Sequence, residues 1–215
     1  IDVGSNAVRL LIADISQSEK GKYGFKKNTL VRVPLRLGDD AFLDHKLSTK
    51  KTDDLIKTMI AFKNLMDVYQ VTEYLACATS AMREAVNGEE VIKKIKKLAN
   101  IDLEIIEGER EANIIYANHI EENLAANKSY LYIDVGGGST EFSLFSDGKM
   151  IASKSFKAGT VRLLNGVVSE IVWNEIEKWI KTNTTAFEEI SLIGSGGNIN
   201  KIFKLSEKHQ DKPLS

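Results

Sequence analysis

The chain has 215 residues, of which 43% are hydrophobic and 27% charged, a globular composition that excludes wholesale disorder. Lysine and arginine number 29 against 30 aspartate and glutamate, a formal net charge of −1, so no dedicated DNA, RNA or anionic-membrane binder is expected. The single cysteine, Cys77, excludes an intramolecular disulfide and any zinc site built from several cysteines. No run approaches the ~20 apolar residues of a membrane helix, and the cytoplasm is the expected compartment.

The chain opens on Ile1-Asp2-Val3-Gly4, the end of a strand; a few residues are expected to precede it, and no signal peptide can be read from it. A glycine turn leads into an apolar strand over 8–13, and 16–22 is a polar turn. Residues 29–37 alternate Leu30, Arg32, Pro34 and Arg36 with Val31, Val33, Leu35 and Leu37, a period of two that predicts a strand with one buried face. Pro34 places that strand at an edge or a bulge. Ser48 or Thr49 caps a long helix carrying Leu55, Met59, Phe62, Met66 and Tyr69 at helical spacing. A strand over 73–78 runs into Thr79-Ser80, followed by a basic amphipathic helix over 91–98, a short strand over 103–106 and a helix over 109–125.

Strand, glycine turn and strand return over 130–145, with Asp147-Gly148 making the next hairpin turn and 150–156 a third strand. A helix over 173–181 turns Ile176, Trp179 and Ile180 inward. The strand 190–193 ends in Gly194-Ser195-Gly196-Gly197, and a helix over 199–205 follows. Strands and helices mix throughout, which predicts an α/β or α+β protein.

Asp2-Val3-Gly4-Ser5-Asn6-Ala7-Val8 lies on Asp134-Val135-Gly136-Gly137-Gly138-Ser139-Thr140 at an offset of 132 residues. Each copy is a strand, an aspartate, a tight glycine turn and an outgoing strand, followed by a polar turn and a third strand. Two copies of one unit predict two similar domains, 1–115 and 116–215, the second expected to be incomplete at its C-terminal end.

Glycine turns between strands offer backbone N–H groups without side-chain obstruction, and such nests hold phosphate oxygens. Ser5, Asn6, Ser139 and Thr140 add side-chain donors there, and Gly196-Gly197 forms a third turn, leading into a helix. An aspartate closing the incoming strand repels an anion, so Asp2 and Asp134 are expected to face a Mg²⁺ that bridges to phosphate. No Walker-type loop is present, and strand rather than helix follows Gly138, which excludes a dinucleotide fingerprint.

The two turns resemble the phosphate motifs of the superfamily of actin-like ATPases, sugar kinases and heat-shock chaperones. More narrowly, the chain resembles the exopolyphosphatase and guanosine pentaphosphate phosphohydrolase family. Supporting segments are Ala78-Thr79-Ser80-Ala81-Met82-Arg83-Glu84, Glu107-Gly108-Glu109-Arg110-Glu111-Ala112, Gly159-Thr160-Val161-Arg162-Leu163 and Gly194-Ser195-Gly196-Gly197-Asn198. They occur in the family's order over nearly the whole chain, although Gly194-Ser195-Gly196-Gly197 departs from the commoner Gly-Thr-Gly-Gly-Thr form.

The resemblance implies duplicated actin-like (ribonuclease H-like) domains, mixed sheets with helices packed on them, and an active cleft between the domains. It implies a phosphoric-anhydride hydrolase removing terminal phosphate from polyphosphate, from pppGpp, or from both, with Mg²⁺ or another divalent cation. Glu111 matches the catalytic glutamate that would accept a proton from water, while Asp134 and Glu141 match acidic positions expected to act with it and, with Asp2, to hold the metal. Ser5, Asn6, Gly136, Gly137, Gly138, Ser139, Thr140, Gly196 and Gly197 are the phosphate-binding candidates. Arg83 is a candidate phosphate clamp, as by the same logic are Arg36 and Arg162. A homodimer is compatible with this reading.

Lys93, Lys94, Lys96 and Lys97 read as a solvated helix face, Cys77 as core, and His45, His119 and His209 have no metal-ligand spacing. The alternatives are an actin-like ATP-binding kinase or regulator, which would need an adenine pocket, and a non-catalytic polyphosphate or alarmone sensor, which would not need Glu111, Asp134 and Glu141 together.

Overall fold

A computed structural model describes residues 1–17, 23–116 and 128–206. By contacts the chain divides into two units, Ile1–Ile106 and Glu107–Ser215.

In the first unit, β1 (Asp2–Val3), β2 (Val8–Gln17) and β3 (Tyr23–Val33) run antiparallel, and β4 (Cys77–Ala78) and β5 (Glu104–Ile105) add parallel strands in the order β3-β2-β1-β4-β5. Pro34 lies just beyond β3, the edge strand, where its missing N–H breaks no ladder. The period of two persists through Val31, Val33 and Leu35, which are half-buried. It ends at α1 (Leu37–Leu43), a helix the alternation concealed. Helix α2 (Thr49–Val68) is capped by Ser48, whose Oγ accepts from the Lys51 amide at 3.3 Å, and it buries Leu55, Met59, Phe62 and Met66. Tyr69, expected inside, is its exposed C-cap. After β4 come α3 (Ser80–Glu84) and α4 (Gly88–Ala99), which buries Val91, Ile95 and Ala99 and leaves Lys93, Lys94, Lys96 and Lys97 exposed. The strand predicted over 73–78 shrinks to Cys77–Ala78, because its neighbours β1 and β5 are themselves two residues long. Cys77 is buried.

The second unit opens with α5 (Gly108–Tyr116), followed by the hairpins β6 (Ser129–Val135), β7 (Thr140–Ser146) and β8 (Lys149–Phe156). A short helix, α6 (Thr160–Leu164), and a longer one, α7 (Glu170–Thr184), lead to β9 (Ile190–Ser195), parallel to β6, and to α8 (Gly197–Leu205), giving the sheet order β8-β7-β6-β9. Asp147 and Gly148 both take positive φ, 50° and 71°, the primed turn that matches strand twist. One face of this sheet is apolar: Leu131, Phe142, Leu144 and Phe156 meet Ile176 of α7, and the Trp179 ring stands edge-on to both phenylalanines.

The repeat extends to individual hydrogen bonds. Asp2 pairs with Arg9 and Asp134 with Glu141; the Gly4 amide donates to Ala7 O at 3.1 Å and the Gly136 amide to Ser139 O at 3.0 Å. Both hairpins also shift register at one place, after Ile12 and after Leu144, again 132 residues apart. The units part after Ile106, earlier than the expected 115/116, because α5 packs on β7 and β8 of the second sheet. Of the turn expected over 16–22, Ser16 and Gln17 belong to β2, which pairs with β3 that far; residues 18–22, the end of the helix predicted to 125, His119, His209 and the polar tail from 207 lie outside the described residues. Among the described residues no helix is long and apolar enough to cross a membrane.

Candidate active site

The sheet of the second unit has a polar face opposite its α7-covered core. Residues directly opposite in antiparallel strands share a face, so Asp134 of β6, Glu141 of β7 and Ser155 of β8 stand in one row, with Tyr132, Ser143 and Ser153 in the neighbouring rows. Glu141 is 4% exposed, and its Oε1 accepts from Ser155 Oγ at 2.8 Å. Ser143 and Ser153 approach to 3.3 Å. The Tyr132 phenol bonds to Ser195, and burial raises its pKa above the usual value while that bond lowers it and the Asp134 charge raises it.

Helix α5 lies over this row. A β-carbon on Gly108 would stand 2.7 Å from Cβ of Ser155, so only glycine lets the helix start so close to the sheet. One turn on, Glu111 is half-buried where Glu107 and Glu109 are exposed. Asp134 and Glu141 thus share one sheet face, and the helix that carries Glu111 packs on the strands β7 and β8 of that sheet.

The Gly136–Ser139 turn closes the β6–β7 end of that face. The carbonyls of Gly136 and Gly137 accept from the amides of Thr160 and Val161 at 3.0 and 2.8 Å, and Gly138 O accepts from Arg162 Nε at 2.6 Å. Among the described residues the amides of Gly137, Gly138 and Ser139 make no hydrogen bond, which is the inventory of an anion nest. Gly196, at φ 94°, flanks it: a β-carbon there would meet Asp134 Oδ1 at 3.0 Å and Val135 O at 2.9 Å. Gly197 begins α8.

The first unit carries the matching turn. Ser5 O and Asn6 O accept from the amides of Gly38 and Arg36, and the amides of Ser5, Asn6 and Ala7 make no hydrogen bond among the described residues. Ser5 Oγ lies 3.0 Å from Ser80 Oγ, both buried.

Four of the expected site residues have partners within the protein. The Thr140 hydroxyl donates to Ala158 O, so it fastens β7 rather than facing a ligand. Arg83 gives Nη1 to Ile106 O, and the buried Arg162 gives Nε to Gly138 O. Asp2 lies in the first unit, ion-paired to Arg9 at 2.6 Å. Among the described residues no group of three or more His, Cys, Asp or Glu is arranged to hold a metal ion.

Two mixed sheets, each ending in a register-matched glycine turn with open amides, define a duplicated α/β protein of the actin-like class. The model of the Ppx/GppA phosphatase family matches residues 15–190, and the chain belongs to that family. It is 28% identical, over 97% of its length, to 34% of a bifunctional 3-dehydroquinate synthase/phosphatase of Fusobacterium nucleatum. It is 30% identical, over 76% of its length, to 46% of exopolyphosphatase 1 of Mycobacterium tuberculosis. The chain thus spans a third to a half of these curated relatives. Among solved structures, an exopolyphosphatase of Cytophaga hutchinsonii shares the fold, with TM-score 0.77 and 23% identity, covering 100% of this chain and 71% of that one. The Aquifex aeolicus PPX-GPPA enzyme superposes with TM-score 0.71 and 26% identity, covering 95% of this chain and 69% of that one.

Proposed function

We propose that the chain belongs to a hydrolase that removes the terminal phosphate of inorganic polyphosphate or converts pppGpp to ppGpp. The observation that carries this reading is the Gly136–Ser139 turn, whose amides point away from three engaged carbonyls beside the face that holds Asp134 and Glu141, in a sheet on which the helix of Glu111 packs.

In the proposed reaction the terminal phosphoryl group rests against the amides of Gly137, Gly138 and Ser139, which offset its growing charge. The Glu111 carboxylate accepts a proton from a water as the water oxygen forms its bond to phosphorus. The anhydride P–O bond breaks, and the electron pair leaves with the shortened chain or with ppGpp. The Ser5–Ala7 turn serves as a second phosphate cradle.

Mg²⁺ takes one or two carboxylates and completes its shell with water and phosphate oxygens, so the donor set of Asp134 and Glu141 suits it. When bound, it would neutralise phosphate charge. Asp2, ion-paired to Arg9 in the first unit, is left out of the proposed set. A cytoplasmic location accords with a chain whose one cysteine, Cys77, is buried in the core.

The test is phosphate release by the protein from long-chain polyphosphate, pppGpp and ATP in parallel. Release from either of the first two supports the proposal; hydrolysis confined to ATP would point to the actin-like nucleotide class instead.

A further inference from the structure

Three consecutive residues of α6 hold three consecutive carbonyls of the glycine turn, Thr160 on Gly136, Val161 on Gly137 and Arg162 on Gly138. In a trans peptide the C=O and the following N–H point in opposite directions. Fixing those carbonyls toward α6 therefore aims the amides of Gly137, Gly138 and Ser139 away from it. Gly159 makes the approach feasible, since a β-carbon there would fall 2.3 Å from Gly137 O.

The first unit does the same work with backbone alone: Asn6 O, the counterpart of Gly138 O, accepts from the Arg36 amide at 3.0 Å. Only in the second unit is the third carbonyl held by a side chain. Glycine has no side chain to resist rotation of its peptide, so the Gly138–Ser139 peptide depends on that one guanidinium bond. Arg162 is 6% exposed, beneath the turn.

Resting on the proposed hydrolase reading, we infer that Arg162 is a positioning residue: by holding Gly138 O it keeps the Ser139 amide turned toward the phosphate. It acts through the turn and does not touch the substrate. Lysine retains the buried charge but lacks the rigid planar fork, so it cannot reproduce the bond geometry.

The experiment compares wild type, Arg162→Lys and Arg162→Ala for kcat and KM on polyphosphate, for pyrophosphate affinity by calorimetry, and for melting temperature. In a folded Arg162→Lys protein, kcat should fall about 10- to 100-fold with KM changed by less than about threefold. Millimolar guanidinium should restore part of the rate of Arg162→Ala, an effect that general loosening of the fold would not give. Wild-type kcat and pyrophosphate affinity in Arg162→Lys would overturn the inference. If wild type releases phosphate from no substrate, the hydrolase reading fails, and the inference is then read from pyrophosphate: affinity about tenfold weaker in Arg162→Lys supports it, and unchanged or absent wild-type affinity overturns it. Should both variants fail to fold, hydrogen exchange of residues 137–139 in wild type decides: slowing by pyrophosphate supports amides aimed at the anion, and no slowing overturns it.

Discussion

Asp2 and Arg9 face each other across the β1–β2 ladder and form an ion pair at 2.6 Å. At the same two positions of the second unit stand Asp134 and Glu141. Like charges directly opposite in a sheet repel, whereas the Asp2–Arg9 pair is neutral. One substitution between copies of the repeat, arginine against glutamate, thus separates an ion-paired turn from the acidic pair proposed to hold the cation.

That contrast predicts divergent metal behaviour. Asp134→Asn and Glu141→Gln should each raise the divalent-cation concentration needed for half-maximal rate by about tenfold or more. Asp2→Asn should leave it within about twofold, because its half-exposed ion pair contributes under about 1 kcal/mol. Metal titrations of phosphate release check this, and an Asp2→Asn shift matching that of Asp134→Asn would return Asp2 to the metal set.

Glu111→Gln keeps the size of the side chain but removes the proton acceptor. Turnover at saturating substrate should fall about 10²–10⁴-fold, roughly 3–5 kcal/mol of barrier, with an unchanged thermal melt. The exposed Glu109→Gln should behave as wild type. Gly108→Ala should also slow turnover, since its new β-carbon would press on Ser155 and displace the helix that carries Glu111. Equal rates for Glu111→Gln and wild type would mean that another group takes the proton.

Two alanine substitutions separate crowding from backbone strain. Gly159→Ala puts a methyl into the Gly137 carbonyl, so it should cost about 1–3 kcal/mol of stability and lower kcat. Gly148→Ala meets nothing within 4 Å but adopts φ 71°, so it should cost about 1 kcal/mol and leave kcat alone. Melting temperature and rate, measured on both, distinguish the two effects.

Tyr132 supplies an alkaline signature. Its folded pKa is raised, chiefly by burial, so the unfolded chain loses the phenolic proton first as pH rises. The associated stability is intact below about pH 10, the ordinary tyrosine value, and declines as pH climbs toward the higher folded pKa. Melts of wild type and Tyr132→Phe above pH 9 should show a shallower decline in the variant.

The residues that announced the site in the sequence were those whose backbone role is visible locally. Asp-Val-Gly, twice, marked both turns, whereas Glu111 came only from the family resemblance of its segment and stays a proposal. Helices α1 and α6 escaped because neither has a side-chain N-cap: Arg36 enters α1 in the left-handed region, and Gly159 precedes α6. The use of Arg162 was invisible for a related reason. An arginine beside a phosphate motif suggests an anion clamp, and only the path of α6 reveals that a carbonyl claims it. Thr140 misled in the same way, since its hydroxyl is taken by Ala158, eighteen residues on.

The matching register shifts after Ile12 and Leu144 bear on how the protein behaves at high concentration. Each lies in the hairpin that forms the outer margin of its sheet, β3 in one unit and β8 in the other. A bulged margin bends and twists, so a straight strand from a neighbouring chain finds no continuous ladder to extend. Lys26 and Lys27 on β3, with Lys149 and Lys154 on β8, are exposed along the same margins and add charge repulsion. The duplication that set two glycine turns in place has also given one edge of each sheet the same guard against fibrous aggregation.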